Sequence, residues 1–288
     1  MADNIRLSVV LATRNEEANI KECLESIRDI ADEILVVDEN SKDKTREVAK
    51  SFGAEVFLEP HHQNFHITKK RALKLARGEW ILQLDADERV TIELGDEIRK
   101  VIEMTEKEVA SYQENLNERE LFKRHTKMLE DDGRKIGSSG EYAGFFIPRL
   151  NFFLGKYLKH GGVYPDGVIR LVKNGKADFP AESVHEQISV SGKVGWLENP
   201  LKHMADKTFK HYLKRNSYYI DLIAKGLKED GVGKNPLKFI DYMIIKPVWW
   251  FLLTQIRHKG ILDGWQGIVF SFFSALRFPR AYWRYLIK

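Results

Sequence analysis

The chain has 288 residues, 43% apolar and 31% charged, with a formal net charge of +4 and one cysteine, Cys23. That length holds one large α/β domain, or a domain with an appendage, around a core of its own. A single thiol excludes an intramolecular disulfide, and its place in a helical pattern marks Cys23 as a small core residue rather than a nucleophile.

The opening MADNIRLSVVLA has no basic stretch, long apolar run or small-residue cleavage site, so a cytoplasmic location is expected. Four apolar runs follow, RLSVVLA (6–12), EILVVD (33–38), AEVFL (54–58) and WILQLD (80–85), which read as strands buried on both faces. Helical periodicity fills the gaps at 17–28, 43–52 and 66–77, and Gly53 and Gly78 stand where helix stops are expected. A β-α-β-α-β-α-β order predicts a parallel sheet whose ligands bind beyond the carboxyl ends of the strands. Thr13-Arg14-Asn15-Glu16, Asp38-Glu39-Asn40-Ser41 and Asp85-Ala86-Asp87-Glu88 lie at those ends.

Residues 103–141 are highly charged and read either as a solvated helix followed by a mobile Gly/Ser loop or as a lid beside the acidic strand end. Short strands resume at GFFIPRL, GVIRLVK, HEQISV and KVGWLE, and predict a smaller mixed sheet. Residues 208–228 read as a helix. Beyond residue 236, apolar aromatic patches alternate with Lys and Arg. Lys246, Pro247, Arg257, Asp263 and Arg277 interrupt every run before it reaches the roughly 20 apolar residues of a spanning helix.

Two carboxylates one residue apart, Asp85 and Asp87, leave a buried strand and can turn toward one site. Hard divalent cations such as Mg²⁺ or Mn²⁺ take such oxygens together with phosphate oxygens of a substrate. Asp38 reads in two ways, as an acceptor for a nucleobase imide or ribose hydroxyl, or as an Asx turn or helix cap with Ser41 and Asp43. Arg170 and Lys173 suit a phosphate or the acceptor, and equally an ion pair on a strand. His61, His62 and His66 have no accompanying carboxylate spacing, and His61-His62 reads as loop surface.

Three blocks, VVLATRNEEANI, VVDENSKDKT and KKRALKLARGEWILQLDADERV, carry a resemblance to the family 2 glycosyltransferases of GT-A fold. NFHITKKRAL, NFFLGKYLKHGGVYPD, RLVKNGKADFP and VHEQI extend it to the subgroup resembling lipopolysaccharide core glucosyltransferases. The resemblance implies a Rossmann-like, mostly parallel sheet with a smaller mixed sheet and a helical C-terminal appendage. It implies a catalytic domain over 1–205, with a nucleotide-binding half at 1–102, the charged insertion at 103–141 and an acceptor-side half at 142–205, followed by a helical region at 206–288. Thr13, Glu16 and Asp38 match positions that hold the nucleoside, and Lys69 a basic position near the donor. Asp85 and Asp87 match the metal motif, and Arg14 and Ala86 fall within the same donor-binding blocks. The chain departs from the family pattern at Glu39, Asn40 and Lys70, which bears on base and sugar preference.

The reaction implied is inverting transfer of a hexosyl group from a nucleotide sugar, UDP-sugar favoured, to a hydroxyl of a lipid-linked or cell-envelope glycan. A polyprenyl-phosphate acceptor, or a non-catalytic scaffold on the same fold, is the alternative. Such a transfer needs a general base. Glu186, in Val184-His185-Glu186, is the first candidate and Asp166 the second, with His185 or His203 completing the metal shell. Trp249, Trp250, Trp265 and Trp283, set among Lys246, Arg257, Arg277, Arg280 and Arg284, suit a membrane interface, with a helix pair packed on the catalytic domain as the other reading. The expected place is the inner face of the cytoplasmic membrane. Nucleic acid is not an expected partner, because the first half has no matching basic face.

Overall fold

The computed structural model describes residues 5–180 and 188–287. They fall into two compact units, one running to Arg149 and resuming over Pro165–His203, the other made of Leu150–Tyr164 and the chain from Met204 onward.

The first unit opens with β1 (Leu7–Thr13), α1 (Glu17–Ile27), β2 (Glu33–Asp38), α2 (Thr45–Ser51), β3 (Glu55–Leu58), α3 (His66–Leu75) and β4 (Trp80–Leu84). Every β1 side chain is buried, as a strand covered on both faces requires. Leu7, Val9 and Leu11 pack with Ile20, Leu24 and Ile27 of α1, while Val10 meets Ala72 and Leu73 of α3. Each such aliphatic side chain contributes ~1.5–3 kcal/mol of burial. Gly53 ends α2 in the left-handed region at φ 78°, as expected. Gly78 serves a different purpose. A Cβ there would stand 2.7 Å from Ser8 Oγ, so glycine is needed for close backbone approach to β1.

After β5 (Glu88–Arg89) and α4 (Ile92–Val101) come α5 (Glu106–Glu114) and α6 (Arg119–Asp131). The charged stretch is therefore mostly a pair of docked helices, and the expectation of one solvated helix is corrected. Thr105 and Glu108 form a reciprocal cap that starts α5. Val109, Leu116, Phe122 and Leu129 are buried. Phe122 lies flat on Trp196, centroids 4.5 Å apart and 2° between planes, and Trp196 stacks in turn on Phe146. Phe122→Ala is expected to cost about 3–5 kcal/mol in urea unfolding; a solvated helix would lose under about 0.5 kcal/mol.

The later strands are β6 (Tyr142–Ile147), β7 (Arg149–Phe153), β8 (Lys156–Leu158), β9 (Val168–Lys173), β10 (Ala177–Asp178), β11 (Ser189–Val190), β12 (Lys193–Trp196) and β13 (Leu201–Asp206). Three of them enlarge the first sheet, whose order is β12-β6-β9-β4-β1-β2-β3, parallel except where β9 runs against β4 and β6. Smaller pairings remain beside it, among them β10 with β11 and β5 with the start of β13. Gln113 of α5 covers the free edge of β12, since its side-chain amide both donates to and accepts from the Trp196 backbone at 2.8 Å.

The second unit is the β7–β8 hairpin with helices α7 (Phe209–Glu229), α8 (Pro236–Ile240), α9 (Lys246–Leu252), α10 (Trp265–Ala275) and α11 (Arg277–Ile287). Wide π turns at Asp241–Ile245 and Leu253–Arg257 make 236–257 one helical run. The first of them accommodates Pro247, which has no N–H for the ladder. No helix among the described residues is long and apolar enough to cross a membrane.

Candidate active site

Register sets the site. Thr13 lies opposite Asp38, and Leu11 opposite Leu84, so β1, β2 and β4 end together and Asp85 emerges beside the other two ends. Asp38 is fully buried and accepts from Thr13 Oγ1 (2.9 Å), Ser41 N (2.8 Å) and Ser41 Oγ (2.5 Å), with Arg46 at 3.8 Å. These contacts tie Asp38 to Ser41 and to the end of β1, and leave part of its acceptor capacity unused. The neighbouring loop is braced to it, because Asn15, at φ 55°, donates its N–H to Ser41 Oγ and accepts from Lys42 N.

Glu16 opens α1. Its N–H donates to Thr45 Oγ1, and its carboxylate accepts from Asn19. Burial raises the Glu16 carboxyl above its usual range despite the Asn19 bond, and the charges of Asp87, Asp85 and Asp43 raise it further. The Glu16 carboxyl thus lies within the field of the Asp85-Ala86-Asp87 motif.

Within that motif the two aspartates have different surroundings. Asp85 is gripped on both oxygens, Oδ1 by Lys69 Nζ and Oδ2 by Arg170 Nη2, each at 2.5 Å. Burial opposes its charge, but the two cations outweigh burial and hold the carboxyl well below the carboxylate range. Arg170 is itself buried, lies across from β4 and donates also to Gln83 and, at 2.8 Å, to the fully buried Glu88. Burial disfavours the guanidinium charge, and Asp85 with Glu88 more than restores it. Glu88 in turn accepts from Asp85 N at 2.9 Å, which closes the turn. Asp87 points elsewhere. Its Oδ2 is 3.4 Å from His203 Nε2, and the imidazole outweighs burial to hold the Asp87 carboxyl below its usual range. Ala86, buried between them, gives its carbonyl to Arg89.

A family model, that of glycosyl transferase family 2, matches residues 8–163, a stretch that includes this whole acidic edge. The chain belongs to glycosyl transferase family 2. The transferase is 25% identical over 276 residues to an uncharacterised glycosyltransferase of Rickettsia typhi, covering 96% of this chain and 85% of that one. It is 24% identical over 301 residues to the lipopolysaccharide core biosynthesis glycosyltransferase LpsC of Rhizobium meliloti, covering 100% of this chain and 96% of LpsC. Among solved structures, glucosyl-3-phosphoglycerate synthase from Mycobacterium tuberculosis is 29% identical over 29% of this chain and 34% of that chain, at TM-score 0.27. The transferase spans about a third of that structure, an overlap too small to bear on its site.

A divalent cation fits one part of the transferase's acidic edge. Asp87 and His203 supply a carboxylate oxygen and an imidazole nitrogen close together and partly open to solvent. Asp85 becomes a direct ligand only if Lys69 or Arg170 lets go of an oxygen. No group of three or more His, Cys, Asp or Glu side chains forms a cation cage among the described residues. Two protein ligands suit a cation that takes its remaining oxygens from a diphosphate and water.

Asp166, at φ 37°, is held by Arg149 Nη2 at 2.9 Å, and Arg149 also approaches Glu88. His185 and Glu186 lie outside the described residues. Lys173 reaches Glu141 at the surface, and Arg170 takes the ion-pair role left open for it. Cys23 is a core residue of α1. His61 departs from a plain loop-surface residue. Its Nδ1 meets Glu39 Oε2 at 2.7 Å and its Nε2 meets Arg14 Nη1 at 2.9 Å, while Thr68 donates to the other Glu39 oxygen. Glu39, Gln83, Glu88, Arg149 and His61 thus build the surroundings of the site. In the sequence Glu39 stands out as a departure from the family pattern and His61 reads as loop surface, but the pairing of Glu39 with His61 and Thr68, and of Gln83 and Glu88 with Arg170, joins segments far apart in the chain.

Proposed function

We propose that this family 2 transferase is an inverting glycosyltransferase that moves a hexosyl group from a nucleotide sugar, UDP-sugar preferred, to a hydroxyl of a lipid-linked or cell-envelope glycan. The observation that carries this reading is the paired acidic and cationic edge at one strand end: Asp87 with His203, beside Asp85 held by Lys69 and Arg170. The full-length similarity to LpsC supports a cell-envelope acceptor. Apolar side chains exposed over the C-terminal helices support work at a membrane surface, on the inner face where nucleotide sugars and membrane-held acceptors meet.

Asp87 and His203 would hold Mn²⁺ or Mg²⁺, and an imidazole in the set favours the softer Mn²⁺. When bound, the cation neutralises charge on the departing diphosphate. Lys69, already 2.5 Å from Asp85, stands ready to exchange that carboxylate for a phosphate oxygen. Glu186 takes the proton of the acceptor hydroxyl, whose oxygen attacks the anomeric carbon on the face opposite the diphosphate. The carbon–oxygen bond to phosphate breaks, and its electron pair leaves with the nucleotide. Asp166 is the second candidate, its carboxylate already paired with Arg149 at 2.9 Å.

Glu186→Gln is expected to lower kcat by about 10²–10⁴ with KM little changed, and Asp166→Asn by under about 10². Hydroxyl transfer at the parent rate in Glu186→Gln would remove Glu186 as the base. Retained activity of that variant with a polyprenyl phosphate alone would move the acceptor to a phosphate, which needs no base.

A further inference from the structure

Exposed large apolar side chains are divided very unevenly along the chain. Only Leu58, Ile67, Ile92 and Met128 precede residue 206 among the described residues, and nineteen follow it. Along the helical run at 236–257 the exposed positions include Leu237, Ile245, Trp249, Leu252 and Ile256, a stripe of steps of three, four and eight residues. The opposite side of the run is occupied. Trp250 Nε1 donates to Ser274 Oγ and Gln255 Nε2 to Gly267 O, which fixes the run against α10. At 1.5 Å per residue it is ~33 Å long. Asp241, Lys246 and Arg257 keep it from being a spanning segment, so its bare face suits lying along an interface rather than crossing it.

Charge decides what covers that face. From Asp206 onward there are fifteen Lys and Arg against six Asp and Glu, in a chain whose net charge is only +4. In the same unit, α7 and α11 enclose a cavity of about 350 Å³. Lys225, Lys228 and Arg284 line it over an apolar wall of Leu222, Ala224 and Tyr285, with Asp221 as its acid. Arg284 is tied to Asp221 at 2.9 Å and Lys225 reaches Glu229, but Lys228 has no ion-pair partner among the described residues. Lys234 sits 4.6 Å over the Tyr285 ring, just before the start of the exposed stripe. A cationic rim above an apolar wall matches a phosphodiester joined to the start of acyl chains.

We propose that the second unit docks on an anionic bilayer, with the bare face of 236–257 in the interface and a lipid phosphate in the α7–α11 cavity. This rests on the peripheral-membrane part of the proposed function and adds to it a named face and a headgroup site.

The test is sedimentation of the full-length chain with phosphatidylcholine vesicles, with and without phosphatidylglycerol. Each lysine near an anionic surface strengthens binding roughly fivefold. Lys225→Glu/Lys228→Glu is therefore expected to weaken binding to phosphatidylglycerol vesicles by more than about tenfold. Both lysines are exposed, so the lost Lys225–Glu229 pair and the added acidic charge lower the melting temperature by no more than about 4 °C. Ile245→Glu/Ile256→Glu is expected to remove sedimentation with both vesicles. Parent-like binding by the lysine variant overturns the headgroup site while leaving membrane docking in place. No sedimentation of the parent with either vesicle overturns docking and the membrane reading together. Inorganic phosphate bound by the parent but not by the lysine variant, with vesicle binding equal in the two, assigns the cavity to free phosphate and overturns the lipid commitment. A parent dimer that Ile245→Glu/Ile256→Glu makes monomeric, without vesicle binding, gives the face to a second copy instead.

Discussion

Asp87→Ala is expected to lower transfer by on the order of 10²–10³ while leaving the melting temperature close to that of the parent. The two halves of this result have separate causes. Asp87 is partly open to solvent, and its partner His203 lies 3.4 Å away. Removing Asp87 leaves no buried guanidinium or ammonium without its counterion, and the fold loses little. The activity loss comes from removing the carboxylate that, with His203, would hold the cation against the diphosphate. Asp85→Ala differs in kind. It would leave Lys69 and the buried Arg170 facing each other across the vacated carboxylate, so its loss of activity comes with a loss of stability. Thermal melts of the two variants beside a transfer assay separate the roles, which the Asp-x-Asp pattern alone presents as equivalent. Chelation by EDTA should reproduce the Asp87→Ala rate in the parent and change little in the variant; full parent activity in EDTA would remove the cation from the reaction.

The order of the first four strands and the convergence of their acidic ends were legible because each depends on local pattern: an apolar run, a helix-period segment, a polar strand end. Glu16, Asp38, Asp85 and Asp87 were placed by that logic, and the register of β1 with β2 and β4 brings them together. The pairings inside the site were not legible. Arg170 meets Asp85 because β9 inserts antiparallel beside β4, and an alternating run such as VIRLVK does not say which strand it will join. His61 looked like loop surface because Glu39 and Arg14 come from the ends of two other strands. The stretch at 103–141 looked solvated because its apolar residues are sparse. Phe122 is one side chain among many charged ones, yet it lies flat against a tryptophan 74 residues away that sits on the far edge strand.

Arg170→Ala is expected to lower stability through the charge it strands rather than through lost packing. Removing one partner of a buried ion pair costs about 3–5 kcal/mol, since the remaining charge has neither water nor a counterion. The cost falls mainly on Glu88, whose side chain is wholly buried, because Asp85 keeps Lys69 and some solvent. Arg149, 3.6 Å from Glu88, recovers part of it, so the lower end of that range is expected. A loss of about 3 kcal/mol lowers the melting temperature by roughly 6–12 °C in a chain of this size. Glu88→Gln in the Arg170→Ala background should restore several of those degrees, because it removes the stranded charge. Arg170→Lys tests the fork itself. A single ammonium keeps the charge but cannot bridge Gln83, Asp85 and Glu88 together, so the fold should largely hold while Asp85 loses its fixed orientation. If Arg170 orients the donor site through Asp85, nucleotide-sugar KM rises in Arg170→Lys at nearly parent stability. If its role is confined to neutralising Glu88, KM stays at the parent value and only the melting temperature moves.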